Sequence, residues 1–200
     1  LDSFTQRAVG VVTSGKVADA IDLEKEDTKV RESYGKEAGR MFLPARRLVE
    51  AGVRAVTFDW GGWDTHGDNF NHLRRQLPNL DRGMSALLQD LHDRGLENDV
   101  TVVMWGEFGR TPRVNPGAGR DHWSRVAMGF LAGGGMRNGQ VIGSSTANAE
   151  EAKDRPVDLL EVFATLYAKA GLDLNTRQFD LRGRPQYLLE PGTEPIRELV

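Results

Sequence analysis

Asp64 and His66 stand two positions apart in the stretch Gly62-Trp63-Asp64-Thr65-His66. In extended backbone, alternate side chains point to the same side, so both can hold one metal ion. A carboxylate with an imidazole suits zinc, manganese or iron. Glu107 and the neighbours Asp121 and His122 offer further ligands, enough for one or two sites. A two-metal site stabilises the attacking and leaving oxygens of phosphoryl or sulfuryl transfer. Arg110 can grip such an anion through two parallel bonds.

The same residues also have plain structural readings. Asp and His in Gly-rich loops cap turns through backbone hydrogen bonds. Glu107 can start a helix or pair with Arg110. Trp60, Trp63 and Trp123 can wedge their loops in place. His72 and His92 fall on or beside a long helix, where a solvated face accounts for both. Gly133-Gly134-Gly135 lacks the Gly-Lys-Ser/Thr of a phosphate loop and reads as a turn.

The elements that must position these loops follow from periodicity. Residues 3–35 read as short polar surface helices, with apolar patches at Val9, Val11, Val12 and at Val17, Ala20, Ile21. Residues 36–51 carry an apolar stripe through Met41, Leu43, Ala45, Leu48 and Val49, and Gly52 suits a left-handed cap. Residues 53–58 are rich in β-branched types and read as a buried strand. Residues 72–94 space seven Leu and Met side chains on one helix face, closed by Gly95. Residues 100–105 read as a second strand. Strand, helix, strand predicts a parallel βαβ unit with a right-handed crossover, and ligands bind beyond the C-terminal strand ends of such sheets. The loops after residues 58 and 105 would then share one edge. Further strands are expected at 125–132 and 140–142, and a helix from Pro156 to Gly171. The tail, residues 173–200, reads as loop.

The chain has 200 residues, which suits one domain with its own core. Against 29 acidic side chains stand 26 basic ones, a net charge of −3, so the clustered basic face of a nucleic-acid binder is not expected. The absence of cysteine excludes disulfides, thiolate nucleophiles and Cys-based zinc sites. No apolar run reaches the roughly 20 residues of a membrane span. The chain begins at Leu1 rather than Met, which suggests a fragment or processed product.

The stretches Gly62-Trp63-Asp64-Thr65-His66, Gly106-Glu107-Phe108-Gly109-Arg110-Thr111-Pro112, Gly119-Arg120-Asp121-His122-Trp123 and Ala132-Gly133-Gly134-Gly135 resemble the DUF1501 family. Residues 45–54 resemble it too, and the likeness covers nearly the whole chain. That family is bacterial, uncharacterised, abundant in planctomycetes, and placed in the alkaline phosphatase/sulfatase superfamily. The resemblance implies an alkaline-phosphatase-like α/β fold: a mostly parallel sheet flanked by helices, of which this chain is the C-terminal part. It implies Asp64 and His66 as ligands of a first metal, with His122 as the further histidine joining them. Glu107-Phe108 would replace the superfamily's Asp-His pair, so a second site loses a ligand at Phe108. The cofactor expected is a divalent metal, zinc or manganese first, then iron or calcium.

The function implied is metal-dependent hydrolysis of small anionic phosphate or sulfate esters. The catalytic nucleophile would lie upstream of Leu1, leaving this stretch inactive alone, and its shortened sheet would expose an edge that favours self-association. The contrasting reading is a non-catalytic binding or structural member. Family members often carry a twin-arginine-type export signal, which implies a periplasmic or extracellular site.

Overall fold

The computed structural model describes residues 2–200, in two compact units, the first ending at Leu96 and the second spanning Glu97–Val200. The first unit is helical. Asp2 and Asp27 start α1 (Ser3–Thr13) and α3 (Thr28–Tyr34) by accepting backbone N–H bonds in the first turn. Between them lie α2 (Lys16–Ile21) and a 3₁₀ turn at Leu23–Lys25. The side chains of Val11 and Val12, part of the expected apolar patch, lie outside the described residues. A second 3₁₀ turn, Ala38–Arg40, leads into α4 (Phe42–Glu50), and α5 (Asn69–Asp93) follows the polar loop. Both α4 and α5 end in Schellman caps: Gly52 and Gly95 adopt φ of 98° and 69°, and Val53 and Leu96 donate back to Leu48 and Leu91.

Tyr34, Ala38, Phe42, Leu43, Leu87 and Leu91 form the buried apolar centre of this unit. Gly83 lets α5 press closely on it. A Cβ there would fall 2.5 Å from the Ala38 methyl and 2.9 Å from the Phe42 ring.

Beside this centre lies an ion network. The Arg46 side chain is fully buried, at 0% exposure, and meets Glu26, Glu50 and Asp90. Arg47 adds a 2.8 Å bond to Glu26 and holds the backbone carbonyls of Asp19 and Ala20. Arg94 reaches all three carboxylates, at 2.7 Å from Asp90, 3.0 Å from Glu50 and 3.1 Å from Glu26. Tyr34 donates its hydroxyl to Asp90 at 2.8 Å. Three cations face three anions, so the cluster is neutral. Burial pushes the Glu26 carboxyl up, but the bonds from Arg46 and Arg47 outweigh it and hold the group at about 2.

The second unit begins with β1 (Thr101–Trp105), which pairs antiparallel with β4 (Gly129–Gly133), Val103 opposite Leu131. Between them β2 (Gly109–Arg110) pairs antiparallel with β3 (His122–Trp123). Helix α6 (Leu159–Lys169) starts in a capping box of Asp158 and Glu161. It packs Val162 against Met136, Ile196 and Leu199. The buried Thr165 hydroxyl accepts the Ile196 N–H at 2.8 Å, tying the tail to α6. The tail also forms a hairpin, β5 (Arg177–Phe179) with β6 (Pro185–Tyr187), rather than loop alone.

The expected alkaline-phosphatase-like, mostly parallel sheet is therefore overturned: the described strands form three antiparallel sheets of two strands each. Residues 53–58 and 140–142 are not strands, and the strand expected over 125–132 is confined to β4. A β-branched run encodes extended backbone but not its partner. Residues 53–58 lie in a unit of helices, and the β1 ladder is met by β4. The connection between β1 and β4 contains no helix, so nothing forces the crossover that a parallel return needs.

The ion network makes the first unit acid-sensitive with a defined sign. The folded value of Glu26, about 2, lies below its ordinary 4.5. Its stabilisation is complete above the ordinary value and is lost as pH falls through the folded one. Glu26→Gln should lower the melting temperature at pH 7, and the gap to wild type should close as pH drops towards 2. Circular dichroism melts read this; a gap that stays constant contradicts it.

Candidate metal centre

Loop residues 59–68 connect α4's extended exit to α5. Gly62 turns it at φ 93°, and Asp68 enters α5 in the left-handed region that Asp tolerates. Thr65 is the anchor. It is buried, its hydroxyl bonds the buried Asn69 side chain, and its N–H donates to the Trp63 carbonyl at 2.9 Å. With Thr65 turned inward, its neighbours Asp64 and His66 turn outward together. His66 Nε2 lies 2.9 Å from Asp64 Oδ1, with side chains 47% and 65% exposed.

At 2.9 Å the two side chains are in direct contact, slightly closer than two ligands sharing one ion. Two ligands each about 2.1 Å from one metal, at angles between a right angle and tetrahedral, lie roughly 3.0–3.4 Å apart. A shift of a few tenths of an ångström admits the ion between them.

In the second unit, Arg110 and His122 face each other across the short ladder of β2 and β3. Sequence reasoning left the loop before His122 free to start at either edge; the ladder places it directly beside the Arg110 strand. Gly109 lets the Val126 backbone approach β2 closely, since a Cβ there would fall 1.9 Å from the Val126 carbonyl oxygen. Phe108 packs its ring 4.4 Å from the His122 ring, tilted by 43°. Glu107, expected as a ligand, is exposed. Asp121 is braced by Asn115, whose amide reaches both its carboxylate oxygens at 3.3 Å, and Arg120 holds the carbonyls of Thr111 and Pro112 at 2.6 Å. Trp123 fixes its strand by donating to the Glu150 carbonyl at 2.9 Å.

The first unit thus pairs Asp64 with His66, and the second pairs Arg110 with His122 and carries Glu107 and Asp121 on the same folded-back loop. Chemically, the former sets a carboxylate against an imidazole and the latter a guanidinium-bearing residue opposite an imidazole-bearing one. Sequence reasoning missed the supports: Thr65 and Asn69 beneath the pair, the Phe108 ring on His122, and Asn115 beside Asp121. Only Asn115 left a sequence signal. It precedes Pro116-Gly117, a turn setting in which an Asn side chain accepts the N–H groups of Gly117 and Gly119.

The family described as "Protein of unknown function (DUF1501)" matches the chain over residues 1–200. No curated protein and no solved structure matches it.

Thr65→Val should release the loop without unfolding the unit. It strips the buried Asn69 oxygen of its donor, a loss of about 1–3 kcal/mol. Hydrogen exchange should speed up at residues 63–69 while the amides of α4 stay protected. Unchanged exchange in the loop would show that Thr65 is not its anchor.

Proposed function

The chain belongs to the DUF1501 family, and from that premise we propose that it is a metal-dependent hydrolase of phosphate or sulfate esters. The observation that carries the reading is the Asp64–His66 chelate, two ligands 2.9 Å apart on an exposed, anchored loop. The motif order that resembles the alkaline phosphatase/sulfatase superfamily makes His122 a further ligand and sets Glu107-Phe108 where that superfamily has an Asp-His pair, while Asp121 offers another carboxylate. Two imidazoles and a carboxylate select zinc or manganese over calcium, which prefers oxygen alone. A divalent ion held there supplies Lewis-acid stabilisation to an ester oxygen. Arg110, on its short ladder, orients the anion through its guanidinium fork.

A second reading has its own observation. Phe108 stacks on His122 where the resemblance expects a ligand, which favours a protein that binds one ion and an anion without turnover.

Elemental analysis and calorimetry with zinc and manganese test the proposal. Wild type should take up about one ion per chain, and His66→Ala and His122→Ala should each weaken binding by at least about tenfold, the scale of a damaged metal site. Inorganic phosphate should bind the metal-loaded protein, more weakly in Arg110→Ala. Absence of metal binding in wild type overturns both readings. Metal without any phosphate or sulfate binding overturns the ester reading.

A further inference from the structure

A recess of about 350 Å³ opens on the first unit, lined by Glu37, Arg40, Met41, Trp60, Gln76 and Asn79. Its size is at the lower end for small-molecule sites. We propose that it binds a neutral, hydroxyl-rich ring, a saccharide unit; that this ring is the organic part of the hydrolysed ester rests on the proposed function, while the recess itself does not.

The lining chemistry carries the inference. Trp60 offers a large, rigid, amphipathic ring, held edge-on against Phe42 with centroids 5.5 Å apart. Around it stand a carboxylate, a guanidinium and two amides, each planar and able to make paired hydrogen bonds to neighbouring hydroxyls. Gln76 and Asn79 lie three positions apart on α5, hence on one face. Arg40 and Glu37 approach only to 3.9 Å and are largely exposed, so both retain bonding capacity. The Trp60 indole N–H is buried with no acceptor, a deficit that a small loop shift or a ligand oxygen would relieve.

Other ligand classes fit less well. One positive and one negative side chain leave the recess neutral, and the Glu37 carboxylate repels an anion. A purely apolar ligand would desolvate four polar side chains whose remaining hydrogen-bonding capacity it could not meet. A polyol satisfies donors and acceptors alike and lays its C–H face on the indole.

The place of the recess matters too. Trp60 is four residues from Asp64, a reach of at most about 14 Å. A Cβ at Gly62 would fall only 2.8 Å from the Gln76 amide nitrogen. The loop that carries the chelate therefore rests on the recess wall.

The test uses metal-free protein in EDTA with D-glucose, D-galactose and N-acetyl-D-glucosamine as probes, followed by NMR. At least one sugar should bind saturably and shift the Trp60 indole and the Gln76 and Asn79 side-chain amides. Asn79→Ala and Gln76→Ala should each weaken it by roughly tenfold, the effect of about one lost hydrogen bond. Both replace exposed or half-exposed helix positions with the best helix former, so the fold is kept. His66→Ala should leave sugar binding unchanged. The inference is overturned if no sugar shifts these signals at tens of millimolar, if both alanine variants bind as wild type, or if inorganic phosphate competes for the recess. Sugar binding by a protein that takes up no metal would sink the ester reading and leave the recess standing.

Discussion

Arg46 carries a full positive charge at 0% side-chain exposure, and the first unit is arranged to meet that cost. Removing a guanidinium from water is tolerated only when carboxylates and hydrogen bonds replace the solvent. Glu26 comes from the segment before α3, Glu50 from the end of α4, and Asp90 from the last turns of α5. Each must be delivered to one point, so the helices have little freedom to slide. Arg47 extends the clamp to the end of α2 through backbone carbonyls. Apolar packing supplies the bulk of the stability, whereas the ion network fixes the relative placement of α3, α4 and α5.

The loop that carries Asp64 and His66 inherits this order. Its two ends are the exit of α4 and the entry of α5, the same helices that the network locks. Phe42, on α4, meets both Phe58 and Trp60 with ring centroids 5.0 and 5.5 Å apart, and Asn69, in the first turn of α5, receives Thr65. A rigid frame with a short loop anchored at both ends can present Asp64 and His66 together at little entropic cost on binding.

What was legible in the sequence was local. The alternation Asp64-x-His66 implied a shared side, and the structure has the two side chains in contact. The glycines after α4 and α5 marked the caps, and the Leu/Met spacing marked α5. The ion network was not read from the sequence, although two of its contacts, Arg46–Glu50 and Asp90–Arg94, have four-residue helical spacing. Its organising contact, Arg46 with Glu26, spans twenty residues and left no pattern. Strand pairing failed for the same reason: residues 53–58 have strand composition, but composition names no neighbour. At Phe108, residue type excluded a ligand, while its packing on His122 needed the fold.

The central claim is that Asp64 and His66 form the nucleus of a metal site. Titrating ¹⁵N-labelled protein with substoichiometric Mn²⁺ tests it most directly, because a bound paramagnetic ion broadens signals by distance. The result expected is selective loss of the resonances of residues 63–67, abolished in His66→Ala. Broadening spread instead over the acidic surface around Asp19, Asp22 and Glu24, with the loop signals intact, would contradict it.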